Sequence, residues 1–513
     1  MPNNSRTAKS LQNVKVALLF YFLNLLLQFF SRKIFLDYLG SEVLGLNTTA
    51  QNLLGFLNLA ELGIGGAVAY NLYKPLFEDD RKAINDIVSV QGWLYRRIAC
   101  MVILGAIVLM CFFPLMFAKA QVPLWYAYGS FLALLVSALL GYFVNYRQIV
   151  LSADQKEYRI TFSIQGVKIV KVILQLLAIR YLSHGYVWWM ILEVIMAFVT
   201  SYVLDRNIKK EYPWLKASPA QGAVLRKQYP NIITKTKQIF FHKIGSFVLS
   251  QTSPLIIYAY TSLTLVAIYG NYMLIVAGVT MLVNALLNSI SAGVGNLVAE
   301  GDKKRIKSVF WELTILRMWL ASLICFGMYM LGHSFISLWV GSEYVLPQSA
   351  YIVLILNTFI GLSRTNDAFI SAYGLYQDIW APVVEASLNL GLSILLGYYY
   401  GLTGILSGVL ISLLLIVYSW KPYFLYKKGF KDNIWEYVWH YAKYLFLLML
   451  ACMVSAYVLK YYARLGGQNF AQWGISGVKT IAVYSFTSLL LLGILDKATR
   501  SLVRRFYRMM RCR

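Results

Sequence analysis

Apolar runs of about 20 residues, separated by short polar stretches, recur from one end of the chain to the other. A helix rises ~1.5 Å per residue and a bilayer core is about 30 Å thick, so each run predicts one membrane-spanning helix. Counted this way the chain predicts about fourteen spans. They begin near Val14, Gly45, Val88, Val122, Ile160, Gly185, Lys237, Leu265, Val309, Ala350, Trp380, Leu402, Trp439 and Val478. The expected fold class is therefore an all-α integral membrane protein.

The pattern also repeats. The stretch SADQKEYRITFSIQGVKIVKVILQLLAIRYLSHG, from Ser152, has a distant copy in SAYGLYQDIWAPVVEASLNLGLSILLGYYYGLTG, from Ser371, at a constant spacing of 219 residues. This register pairs Ala153 with Ala372, Tyr181 with Tyr400 and Gly185 with Gly404. A second register of 222 residues pairs Tyr38 with Tyr260 and Asp80 with Asp302. The chain reads as two related helix bundles, over 1–205 and 237–427, joined by a basic linker over 206–236. Two additional spans over 428–496 and a basic tail over 497–513 follow. Duplicated bundles facing a midplane site are a recurrent plan of secondary transporters.

Composition agrees with a lipid environment: 59% of the 513 residues are hydrophobic, only 13% are charged, and mean hydropathy is +0.60. The net charge of +25 carries orientation, because Lys and Arg are retained on the cytoplasmic side. Alternate connections are basic: Arg6 to Lys15, Lys74 to Lys82, Lys156 and Arg159, Arg206 to Lys237, Lys303 to Lys307, Lys421 to Lys431, and the tail. The connections between them are short and poor in cations, apart from Arg180 with His184 and Lys460 with Arg464. Both termini are thus expected in the cytoplasm of a multi-pass cell-membrane protein. The apolar run after Lys15 lacks an A-x-A cleavage site, so the first helix is expected to stay. Cys100, Cys111, Cys325, Cys452 and Cys512 lack the spacing of a disulfide framework or metal site and read as packing residues. The tail interleaves arginines with Phe506, Tyr507, Met509 and Met510, a pattern for an interfacial helix on anionic membrane lipids.

Ionisable groups inside spans cost at least about 2.5 kcal/mol on insertion scales and need a reason to be there. The first half is rich in cations: Arg32 and Lys33, Arg96 and Arg97, Lys168 and Lys171, then Lys237, His242 and Lys243. Gln165, Lys168, Lys171 and Gln175 recur at three- or four-residue spacing and form a polar stripe expected to face a cavity. The positions equivalent to Arg32 and Lys33 are Pro254 and Leu255, so positive charge reads as a property of one half. Carboxylates are fewer: Glu61, Glu193, Glu312, Asp367 and Glu385, the last in a second stripe with Asn389 and Ser393. A desolvated carboxylate can exchange protons, which makes Glu61, Asp367 and Glu385 candidates for coupling to H⁺ or Na⁺. The alternative is that each is the buried partner of a nearby cation. Gly63, Gly65 and Gly66 in ELGIGGAVAY, partly echoed by Gly293 and Gly295 in SAGVGNLVAE, suit either a bend or close helix packing.

The segment RKIFLDYLGSEVLGLNTTAQNLLGFLNLAELGIGGAVAY resembles the first two spans of the polysaccharide-transport branch of the multidrug/oligosaccharidyl-lipid/polysaccharide (MOP) exporter superfamily, and GSEYVLPQSAYIVLILN supports the likeness. That resemblance, to Wzx-type oligosaccharide flippases, implies two bundles around a central cavity that opens alternately to each side. It further implies a non-enzymatic flippase that moves undecaprenyl-pyrophosphate-linked oligosaccharide from the inner to the outer leaflet of the inner membrane, beside other polysaccharide assembly proteins. Cationic side chains would compensate the pyrophosphate, and Arg32, Lys33, Lys168, Lys171 and Lys243 are the candidate substrate-binding residues. The resemblance carries most directly to Arg32, since the family has a basic residue before this segment; Lys168 and Lys171 rest on position and periodicity.

Three other readings stay open at this stage. Efflux of cationic drugs fits poorly with a cavity biased toward Lys and Arg, whereas flipping of a cell-wall precursor fits the same chemistry. A polymerase or ligase of lipid-linked glycans would need catalytic residues at a membrane face, and the outer connections are short. No G-x-x-x-x-G-K-[ST] cradle is present, so nucleotide hydrolysis is not expected, and no resident cofactor is implied.

Overall fold

The computed structural model describes residues 6–61, 63–375, 378, 380–462, 469–496 and 499–500; within these, the side chains of 6–11, 14, 60, 238, 241–251, 285–293, 296, 299 and 462 are excluded. The predicted interfacial tail with Phe506, Tyr507, Met509 and Met510 lies outside the described residues, as do Cys512 and Arg464. The long elements are all helices: α1 (Arg6–Leu57), α2 (Ile64–Glu78), α3 (Arg81–Met116), α4 (Leu124–Phe143), α5 (Glu157–Tyr181) and α6 (Gly185–Glu211). They continue with α7 (Pro230–Tyr260), α8 (Leu263–Glu300), α9 (Lys303–Trp339), α10 (Gln348–Leu362), α11 (Trp380–Leu413), α12 (Ile434–Tyr462) and α13 (Phe470–Leu495). Contacts group residues 1–267 and 268–513 into two compact units.

Among the described residues, 10 helices are long and apolar enough to cross a membrane. This is fewer than the predicted span count because two of them are double and because α7 and α10, at the spans predicted near Lys237 and Ala350, are not among the 10. Lys15–Leu57 has 43 residues and Trp380–Phe430 has 51, lengths of roughly 65 and 75 Å at ~1.5 Å per residue, about twice the hydrocarbon core. Each is broken by a glycine with positive φ, Gly40 (φ 82°) and Gly401 (φ 54°), a conformation that costs glycine little and other residues much. The predicted start at Leu402 follows that second bend directly. α2 and α10 have 15 residues each, which leaves them short of a full span by themselves.

The sequence repeat reappears as a repeat of element ends. Asp80 and Asp302, paired at the 222-residue register, are both N-caps: Asp80 accepts from the Ala83 amide at 2.9 Å, and Asp302 from the Lys304 and Arg305 amides at 3.0 and 3.2 Å. Gly40 falls in register with Ser262, at the break between α7 and α8. Gly185 and Gly404 share a packing role. A β-carbon at Gly185 would lie 2.7 Å from the Ile179 Cα, and one at Gly404 would lie 1.9 Å from the Leu396 carbonyl oxygen, so each glycine lets its helix fold back on the one before it. Ser393 Oγ donates to the Ile405 carbonyl at 3.0 Å and closes the second hairpin.

In the first unit α5 packs on α6 and α1, and α7 packs on α1 and α2. Polar clamps hold the basic loop ahead of α5. Lys156 pairs with Asp154 and Glu211 at 2.6 Å each, Arg159 with Glu211 at 2.9 Å, and Tyr212 donates to Asp154 at 2.8 Å. Burial disfavours the Lys156 ammonium, but hydrogen bonds to Asp154 and Glu211 outweigh it and its pKa lies above the usual lysine value. The second unit is built on aromatic edges: Phe310 sits 5.1 Å from Phe369 and 5.2 Å from Phe430, and Tyr426 lies 5.1 Å from Phe430.

The hairpin makes a first test. Gly404→Val forces a side chain into the Leu396 backbone, which cannot rotate away as a side chain would. It is expected to cost about 1–3 kcal/mol or more, seen as a lower thermal midpoint of the purified protein, whereas Gly391→Val, whose β-carbon would meet nothing within 4 Å, leaves the midpoint near wild type.

Candidate functional site

Two of the four residues in the α5 polar stripe, Lys168 and Lys171, face a cavity shared with residues of α4 and α6. Its volume is ≈240 Å³, and it is walled by Ser137 and Gly141 of α4, Asn145 and Gln148 of the turn after it, Lys168 and Lys171 of α5, and Thr200 of α6. The lack of a side chain at Gly141 contributes room, since a β-carbon there would meet nothing within 4 Å.

The two lysines differ in state. Lys171 donates to Glu193 Oε1 at 2.6 Å, while Gln175 donates to Glu193 Oε2 at 3.0 Å and to the Trp189 carbonyl at 3.2 Å. Both oxygens of this buried carboxylate are thereby used, and the charge of Lys171 is neutralised. Lys168, one turn away and half-buried, makes no ion pair or side-chain hydrogen bond among the described residues. The Gln148 Oε1 is buried in the wall without a hydrogen-bond partner. Gln165 accepts from Asn24 at 3.1 Å and ties the stripe to α1. The cavity thus offers one uncompensated positive charge beside neutral amides and hydroxyls, an arrangement suited to an anion.

Neither Arg32 nor Lys33 is among the described residues that line this cavity. Arg32 donates from Nη2 to the Ala267 carbonyl at 3.0 Å. Lys33 pairs one turn on with Asp37 at 3.5 Å, both side chains about half exposed. Lys243 lies on α7, and its side chain, like that of His242, is outside the described residues. Of the candidate coupling carboxylates, Glu61 occupies the break between α1 and α2, next to the positive φ of Gly63, and accepts from the Tyr95 hydroxyl at 2.8 Å. Nearby Tyr142 stacks edge-on to Tyr95 and donates to Asn58 at 2.9 Å. Asp367 pairs with Lys421 at 2.7 Å and lies 4.0 Å from Arg364; Glu385 is 3.6 Å from Arg364.

The expectation that positive charge belongs to one half needs correction. Arg364 and Lys421 hold the second unit's acids, and Arg317 on α9 donates to the Arg364 carbonyl at 3.2 Å. These cations stand in different sequence positions from those of the first half, which is why comparison by register missed them. The run Ser363-Arg364-Thr365-Asn366-Asp367, a polar interruption inside an apolar span, was the available signal.

No family model matches the chain, and no curated protein matches it. Solved structures do. The lipid II flippase MurJ, in an inward closed conformation, aligns over 94% of this chain and 99% of its own with a TM-score of 0.67 at 15% identity. The fold is shared with MurJ. An inward-facing multidrug resistance MATE family transporter of the MOP superfamily aligns over 82% of this chain and 99% of its own, with a TM-score of 0.61 at 13% identity. The expected fold class, an all-α membrane protein, is therefore the observed one, with the fold of the MurJ and MATE structures, both of which are transporters.

Stability separates the lysines. Lys171→Met strands Glu193 in a dry helix interface and is expected to cost about 3–5 kcal/mol, while Lys171→Met with Glu193→Leu recovers much of it. Lys168→Met, which removes no pair, is expected to leave the thermal midpoint within a degree or two of wild type by roughly the scale of neutral substitutions. Fluorescence-detected thermal unfolding of the purified variants reads all three.

Proposed function

We propose that this chain is a flippase that carries undecaprenyl-pyrophosphate-linked oligosaccharide from the cytoplasmic to the outer leaflet by alternating access, for surface polysaccharide export. The observation that carries the reading is Lys168: a cation without an acid partner, held in a polar cavity between spans of a chain with a transporter fold. Such a charge in a low-dielectric layer is expensive unless an anion completes it, and a pyrophosphate supplies one. Arg32, Lys33 and Lys243 would act elsewhere along the path of the cargo. The same cation disfavours efflux of cationic drugs.

A second reading draws on the MurJ likeness: a cell-wall precursor carries the same kind of lipid pyrophosphate and differs in its glycan. Coupling to H⁺ or Na⁺ is best supported at Glu61. Asp367 and Glu385 are held by cations, whereas Glu61 accepts from a neutral phenol, Tyr95, beside a helix break, where irregular backbone at membrane depth suits an ion site. The working location is the inner membrane, both termini in the cytoplasm, with other polysaccharide assembly proteins as partners.

Leaflet position tests this directly. In cells depleted of the protein, an impermeant glycan-binding probe is expected to find lipid-linked oligosaccharide on inverted vesicles and not on intact cells. Wild-type protein restores outer-face labelling, and Lys168→Glu lowers that restoration about tenfold or more, the effect of losing upwards of ~1.4 kcal/mol, at normal membrane abundance. Normal outer-face labelling after depletion, with failure only in later extension or attachment, overturns the flippase reading in favour of an external assembly role. Labelling by a cell-wall-precursor probe alone selects the second reading.

A further inference from the structure

An apolar recess of the second unit shares no lining residue with the lysine cavity. It has a volume of ≈750 Å³ and runs between the start of α11, the helical turns after α11 and the start of α12. Ile416, Tyr437 and Tyr441 form its buried floor, and Trp380, Trp420 and Tyr423 its aromatic rim. The wall is shaped by two stretches of π-helical winding, Leu414–Trp420 and Leu425–Phe430, where Ser419 Oγ donates back to the Leu414 carbonyl at 3.1 Å. Wide turns of this kind are rare and tend to mark functional positions.

Two features define the occupant. The first is depth. Trp435 and Trp439, 70% and 77% exposed, stand on α12 beside the recess and, with Trp380, Trp420 and Tyr423, concentrate amphipathic rings at one level. Such a belt marks the headgroup boundary of a bilayer. The second is charge. Lys427, Lys428 and Lys431 are exposed on the stretch between the lining residues Tyr423 and Ile434, and none pairs with an acid among the described residues. Lys427 donates to the Tyr423 hydroxyl at 2.8 Å, which joins this basic stretch to the rim. The neighbouring acids are engaged: Lys307 holds Asp432 and Glu436, and Asp378 accepts from Trp420 Nε1 at 3.3 Å. An apolar slot opening at the belt and joined at its rim to uncompensated lysines complements a molecule with a hydrocarbon chain and a phosphate.

We propose that this recess binds an anionic phospholipid of the surrounding membrane, with an acyl chain in the slot and the phosphate on Lys427 and Lys428. The ligand is a lipid of the bilayer rather than cargo, and the site stands whether or not the chain flips glycans. Basic pockets between spans recognise anionic headgroups in this manner.

The test uses the full-length protein in a neutral detergent, with phosphatidylglycerol or phosphatidylcholine of matched chains added and the thermal midpoint read. Phosphatidylglycerol is expected to raise the midpoint by several degrees more than phosphatidylcholine. Lys427→Gln with Lys428→Gln should abolish the difference, and Ala442→Trp, which fills the slot from a wall position, should abolish it while leaving the lysines in place. Equal shifts from the two lipids overturn the proposal. A difference that survives both variants assigns the lipid effect elsewhere and also overturns it. An equal shift from water-soluble glycerophosphoglycerol shows a headgroup site without a chain, and loss of a dimer on Ala442→Trp in sedimentation shows a second copy as the occupant; either result overturns it too. Undecaprenyl phosphate that outcompetes phosphatidylglycerol would reassign the recess to cargo, an outcome that leaves the flippase reading untouched.

Discussion

Hydrocarbon offers no hydrogen bonds, and that single constraint organises the chain. Every backbone group has to be satisfied within its own span, which leaves the helix as the available element, and every charge inside has to find a counter-charge or a polar wall. The Lys171–Glu193–Gln175 triangle shows the constraint met in full: one carboxylate, two donors, both oxygens occupied. Lys168, a turn away, shows it left open. The contrast between adjacent turns of one helix separates what holds the protein together from what is kept for a ligand.

The units answer the constraint in different ways. In the second, acids and cations are matched across several elements, Arg364 between Asp367 and Glu385 and Lys421 on Asp367, and the packing beyond them is aromatic. In the first, Lys156, Arg159 and Lys171 are matched with Asp154, Glu211 and Glu193, while the carboxylate at the α1–α2 break rests on a tyrosine. At the repeat registers the element ends, caps and hairpin glycines recur, while the polar chemistry does not.

Much of this architecture was legible in the sequence because its causes are local. Run length predicts spans, Gly185 and Trp380 start helices where the pattern placed them, and Asp80 and Asp302 cap where their registers coincide. The α5 stripe was also visible, since helical spacing puts Gln165, Lys168, Lys171 and Gln175 on one face regardless of neighbours. What periodicity could not supply was partnership. That Glu193 would claim Lys171 and leave Lys168 depends on the rotation and height of α6 relative to α5, which are tertiary facts. Arg364 was overlooked for a related reason: it stands at a helix end, outside any stripe, and only its contact with Glu385 displays its role. Both bends were legible too, since the predicted starts near Gly45 and Leu402 fall just after Gly40 and Gly401.

The bend at Gly401 bears on how the protein is made. With Gly404 resting on the Leu396 backbone and Ser393 bonded to Ile405, the two arms of α11 and its continuation meet within a few residues of the turn. Such a turn has no slack. The second arm supplies the Ile405 carbonyl that Ser393 bonds and the glycine that rests on Leu396, contacts the first arm lacks until its companion emerges. The partner of Glu385, Arg364, precedes the hairpin, so the first arm's charge is matched before the second arm exists, while its packing is not. Gly401 thus ties the final seat of one arm to the arrival of the other.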